Sequence, residues 1–257
     1  MSSPPPDSTE TPGQEQGFLS HLIELRQRLV RSAIAVLIVF LPLTFFMKQI
    51  FDLLSRPLMV ALPAGTKLLA TGVIAPFMVP LKLTLFVSFL LALPFVLWQA
   101  WAFVAPGLYK HEKRLAGPII VSSVVMFLLG VAYCYFVVFG FVFKFIAGFA
   151  PESVNVAPDI EAYFSFVLGM FLAFGITFEV PIAVVLLARF GIASVARLRQ
   201  ARPYVVVGAF IMAAIFTPPD VLSQLLLAIP LCVLYELGVL CARFVERPAT
   251  SEEKAAA

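Results

Sequence analysis

The chain has 257 residues, 61% of them apolar and only 13% charged, with a mean hydropathy of +0.99. Too little polar surface remains to coat a soluble globule, so the composition points to a membrane protein whose surface faces lipid. A net charge of +3, spread along the sequence without a basic face free of long apolar spans, argues against a nucleic-acid footprint.

In chain order, residues 1–17 are rich in Pro, Ser, Thr, Glu and Gln and contain no Lys or Arg. They lack the basic start of a secretory signal and the arginines of a transit peptide, and are expected to form a disordered tail. Six apolar segments follow, judged against the roughly 20 residues that a spanning helix requires. The first covers about 29–47, preceded by a helical extension from Phe18. A polar stretch at 48–75 contains Lys48, Asp52, Arg56, Pro57, Pro63 and Lys67. The second span is about 77–103, the third about 115–146 and the fourth about 161–188, and the last two, about 204–217 and 222–243, are joined by a turn at Thr217–Asp220. Residues 245–257 form a second expected tail, which leaves 18–244 as one membrane domain with no internal repeat.

Several residues refine this picture. Pro42, Pro94, Pro181 and Pro230 fall inside apolar spans and tend to kink them, which favours a concave bundle. Pro203 suits the start of the fifth helix and Thr217-Pro218-Pro219 stops it about 14 residues later, giving a length of about 21 Å against a hydrocarbon core of about 30 Å. Trp98 and Trp101 fit an inner aromatic belt. Cys134, Cys232 and Cys241 lie in apolar stretches without CxxC spacing, so they are read as buried thiols, implying neither disulfides nor a metal site.

An even number of spans puts both termini on one side. Thirteen of the eighteen Lys and Arg residues fall in the N-terminal flank, the second-to-third and fourth-to-fifth connections, and the C-terminus, so by the positive-inside rule both ends are cytoplasmic. Glu24 in LIELRQR and Glu112 in YKHEKR are acids in these basic flanks. Each has an ordinary explanation: Glu24 can form an i,i+4 pair with Arg28, contributing a few tenths of a kcal/mol, and Glu112 can be neutralised by Lys110, Lys113 and Arg114. Each can equally receive a cation arriving from the cytoplasm.

Glu179, in FEVPIA, lies within the fourth span. An ionisable group at that depth costs several kcal/mol unless it meets a polar cavity or partner, or carries a proton, which makes a functional or assembly role the default. Gln224, just after the turn, is placed either to bond another membrane helix or to be solvated at the interface, and Lys82 can snorkel outward.

The ordered segments HLIELRQRL, APGLYKHEKR, SFVLGMFLAFGITFEVP, RPYVVVGAF and FTPPDVLSQLLLAIPL, set within six spans, resemble the TatC family over about residues 18–244. That family is the multi-spanning receptor subunit of the twin-arginine protein translocase. The resemblance implies an all-α membrane protein with six transmembrane helices in a concave, glove-like arrangement with short fifth and sixth helices. It implies a bacterial inner-membrane protein that binds the paired-arginine signal peptides of folded cargo. Single-span TatA- and TatB-type partners, several TatC copies per complex and the proton-motive force then drive export, with no cofactor and no enzymatic step. By the same resemblance Glu24 and Glu112 match the signal-binding glutamates, with Phe103, Arg26 and Lys110 shaping the patch. Glu179, Thr217 and Gln224 match an intramembrane polar site where partner helices dock.

Guanidinium chemistry gives this expectation a physical basis. A planar, permanently charged fork makes paired charge-assisted bonds to a carboxylate, whereas lysine offers a point charge on a flexible stem. Two other classes compete. A small-solute or ion transporter would use Glu179 as a proton-coupling carboxylate, but its halves should repeat, and these do not. An intramembrane enzyme would need its motif inside a span, yet His21 and His111 lie outside the spans and HExxH and GxSxG are absent.

Overall fold

The computed structural model of the protein describes residues 12–61, 68–104, 113–149, 158–216 and 221–245. Among the described residues, five helical stretches are long and apolar enough to cross a membrane, and a sixth, shorter apolar helix covers Arg202–Phe216.

Helix α1, Pro12–Leu43, is continuous through the expected extension and begins within the segment expected to be a tail. It ends one residue after Pro42 in a single 3-10 turn, Thr44–Phe46, and the chain re-enters a helix, α2, Met47–Ala61. The stretch read from sequence as polar thus begins as a helix. Its charges recur at four-residue spacing, Lys48, Asp52 and Arg56, while Leu54 and Leu58 are buried on another face.

Helix α3, Ala75–Val104, packs along α1 and runs unbroken through Pro80 and Pro94. Thr84 and Ser88 donate to the carbonyls of Pro80 and Thr84, both at 2.7 Å, so their hydroxyls are satisfied within the helix even though both residues are buried. The third span is α4, Lys113–Tyr133, a π turn at Cys134–Val138, and α5, Phe139–Phe149. No proline causes this irregularity. The π turn sits on the fully buried Cys134, Val138 and Phe139, where the wider turn rotates α5 relative to α4.

The fourth span divides at Glu179 into α6, Ile160–Phe178, and α7, Val180–Arg189, with Pro181 in the first turn of α7. Gly191, at φ +68, closes α7 in the left-handed conformation that glycine adopts without strain. A short helix, α8, Val195–Gln200, leads into α9, Arg202–Phe216, whose 15 residues extend about 22 Å. The expected shortness belongs to this fifth span. The sixth, α10, Val221–Val245, has 25 residues, runs through Pro230 and ends in a turn carrying Arg243.

The main core lies where α2, α3, the π turn, α5 and α6 meet, joined by Ala209 and Ala213 of α9 and Leu227 and Ala228 of α10, and phenylalanine fills much of it. Phe139, Phe164, Phe171 and Phe174 are fully buried, with Phe86 stacked on Phe171 at 5.5 Å. A smaller cluster of Val184, Ala188, Leu198, Tyr235 and Val239 joins α7, α8 and α10. Helix α1 leans on α3 and otherwise exposes Leu29, Ile34, Leu37, Ile38 and Leu41, as a lipid-facing helix does. Cys134 is buried as expected, but Cys241 lies on the exposed side of α10.

Candidate functional site

Among the described residues several polar contacts interrupt this apolar bundle, and two of them involve glutamates singled out from the sequence. The first joins α1 to α3 at the end of the bundle that carries most of the arginines. Arg28 Nε and Nη2 both donate to Glu24 Oε1, at 2.9 and 2.5 Å, while Arg28 Nη1 donates to Gln99 Oε1 at 3.3 Å. The i,i+4 pair weighed from the sequence is therefore formed, and Gln99 extends it to a second helix. The Glu24 side chain remains 42% exposed, so the pair contributes only a few tenths of a kcal/mol and is readily exchanged for another cation. Only Oε1 of Glu24 is bonded among the described residues, leaving Oε2 for a further donor.

Arg26 is exposed on the same helix, and Phe103 is half-buried one turn beyond Gln99. Lys110 and Glu112 lie outside the described residues, in the connection from Val104 to Lys113 that leaves α3 at this end. Sequence reasoning had not singled out Gln99. Its signal was available: it is an amide in the otherwise apolar run LPFVLWQAWAFV, and it is buried.

The second site surrounds Glu179. Both carboxylate oxygens are buried and have no hydrogen-bond partner among the described residues. The Ser123 hydroxyl of α4 is close enough to interact with them but lies outside hydrogen-bonding geometry. Ser123 accepts a bond from Trp101 Nε1 of α3 at 2.8 Å and keeps its own proton available. Trp101 thus has a polar task in addition to any place in an aromatic belt.

Close helix crossings hold this site. A Cβ on Gly130 of α4 would stand 2.5 Å from the Phe174 carbonyl oxygen of α6, and a Cβ on Gly238 of α10 would stand 2.8 Å from Pro181 Cα. The same crossing separates Glu179 from Gln224. Gly238, which meets Pro181, is 14 residues beyond Gln224, about 21 Å along α10. Gln224 instead donates to the Phe210 carbonyl oxygen at 3.2 Å and ties α10 to α9. Thr217 lies outside the described residues.

At the opposite end, Asp159 caps α6 by accepting from the N–H groups of Glu161 and Ala162, and also accepts from the backbone N–H and hydroxyl of Thr71. These bonds, that from Ala162 foremost, hold its carboxyl below the usual range. Lys82 pairs with Glu161 at 3.1 Å, so it is an ion-pair partner as well as a candidate for snorkelling.

Comparison with known proteins places this arrangement. Residues 20–230 match the family model described as TatC, Sec-independent protein translocase protein. The chain is 52% identical to the Sec-independent protein translocase protein TatC of Escherichia coli K12 over 229 residues, covering 89% of each chain. It is 47% identical to that of Haemophilus influenzae, covering 91% of each. A crystal structure of a twin-arginine translocase receptor, TatC, superposes with a TM-score of 0.76 at 37% identity, covering 88% of this chain and all of that one.

Proposed function

The chain belongs to the TatC family, the receptor component of the twin-arginine protein translocase, and we propose that Glu24 and Glu112 are the carboxylates with which it grips a paired-arginine signal. It is a multi-pass protein of the bacterial membrane and works as a transport component rather than an enzyme. In the proposed orientation both termini face the cytoplasm, a reading supported by the distribution of Lys and Arg.

The observation that carries the binding reading is the Glu24–Arg28–Gln99 contact. Glu24 already holds a guanidinium, one of this chain's own, in an exposed and weakly bound pair. An incoming signal arginine replaces Arg28 at Oε1 or adds to it at Oε2, while Gln99 receives the released guanidinium. A second signal arginine is taken by Glu112, with Phe103, Arg26 and Lys110 shaping the surface. A Lys-Lys signal offers point charges and competes poorly with a forked internal ligand. Like charges from Arg26 and Lys110 oppose signals carrying extra cations in the wrong register.

Glu179 serves a different step: docking the helices of TatA- and TatB-type partners in complexes holding several copies of this chain. Its support is the pair of buried oxygens without a bond, which an incoming polar side chain can satisfy. Thr217 and Gln224 are assigned to partner contacts as well, Gln224 about 21 Å along α10 from the point where α10 meets Pro181.

Site-specific crosslinking to an Arg-Arg signal peptide tests the assignment. Glu24→Ala and Glu112→Ala are expected to cut the yield about tenfold or more, and Glu246→Ala, in the C-terminal tail, to leave it unchanged. Equal yields for all three remove these glutamates from the recognition site.

A further inference from the structure

The bundle end opposite Glu24 holds a cavity of about 670 Å³ between α2, the segment 68–74, the first turns of α3 and the start of α6. That volume lies within the roughly 300–1,000 Å³ of small-molecule sites. One wall is a face of α2, where Lys48, Asp52 and Arg56 follow one another at four-residue spacing, cation, anion, cation. Phe51, Leu68 and Ile160 make its apolar floor.

The three charged groups stand apart from their surroundings. Neighbours at four-residue spacing on a helix commonly pair, yet none of the three forms an ion pair among the described residues, whereas nearby Lys82 pairs with Glu161. Pro76 lines the cavity, and its near neighbours in sequence, Val73, Ile74 and Phe77, are exposed apolar residues. A ligand of this cavity therefore carries an anion, a cation next to it, and an apolar part that leaves across the rim into the bilayer.

We propose that the cavity is a phospholipid site selective for a zwitterionic headgroup with a primary ammonium. The phosphate is taken by Lys48 and Arg56, two long cationic side chains that both line the cavity from positions about 12 Å apart along α2. The ammonium meets Asp52 between them, and the acyl chains follow the exposed Ile74 and Phe77 side. A free phosphate, or a headgroup without an ammonium, brings its negative charge to Asp52 uncompensated. This site is independent of the signal-binding reading, since it lies on other residues at the other end of the bundle.

Native mass spectrometry of the delipidated full chain in detergent, titrated with phosphatidylethanolamine or phosphatidylglycerol, tests the proposal. The wild type is expected to retain phosphatidylethanolamine about tenfold more tightly, and Lys48→Ala/Arg56→Ala to lose that affinity by a similar factor. Asp52→Asn is expected to shift preference toward phosphatidylglycerol, and Lys144→Ala, an exposed cation away from the cavity, to change nothing. Inorganic phosphate is expected not to displace bound lipid. Equal retention of both lipids by the wild type, an unaffected double variant, or displacement by millimolar inorganic phosphate would each overturn the proposal.

Discussion

In the proposed roles of Glu24 and Glu179, burial separates two uses of one residue type. Glu24 is partly solvated and spans an i,i+4 pair, so its bond to Arg28 is weak enough to exchange. Among the described residues neither buried oxygen of Glu179 has a hydrogen-bond partner, an arrangement that costs stability in the isolated chain. Glu179→Leu is therefore expected to raise thermal stability in detergent by about 1–3 kcal/mol while abolishing transport and sparing primary signal binding. A loss of signal binding with partner docking intact would contradict the division of roles. Asp159 gives a pH-dependent counterpart. Its lowered pKa means that its bonds stabilise the folded state above the ordinary carboxylate range, and that this contribution is lost as pH falls through the folded-state value. Thermal melts of wild type and Asp159→Asn are expected to differ at pH 7 and to converge in strong acid; a difference that persists there would locate the effect elsewhere.

At the scale of elements, the long apolar spans were legible because lipid demands uninterrupted apolar runs whose backbone is satisfied internally. The bounds of α3, read as about 77–103, fall at Ala75–Val104. Helix α2 was read as a polar stretch because its charges and Pro57 masked an amphipathic face that only α3 and α5 complete. The π turn at Cys134–Val138 has no sequence marker, since packing around Phe139 decides it. The glutamates were legible as misplaced charges, but the contact of Gln99 with Arg28 is long-range and no local pattern announces it. Glycine at the α4–α6 crossing carries a direct test. Gly130→Ala forces a Cβ against backbone and is expected to cost about 1–3 kcal/mol, measured as a fall in melting temperature. Gly169→Ala, on α6 with open space around it, is expected to be neutral or slightly stabilising.

For the whole molecule, the proposed signal-binding and partner-docking residues lie on separate parts of the bundle. Glu24 is at the arginine-rich end and partly exposed, while Glu179 lies within the span that packs against α4 and α10. Helix α9, about 22 Å long, is too short for an unperturbed hydrocarbon core of about 30 Å, so local thinning of the bilayer beside α9, or its screening by a partner, is expected. The central claim is that the chain reads guanidinium pairs rather than positive charge. Equilibrium binding of Arg-Arg and Lys-Lys versions of one signal peptide to the purified protein measures this. The account predicts tighter binding of the Arg-Arg peptide by about tenfold or more, with the difference lost in Glu24→Ala; equal affinities for the two peptides would contradict it.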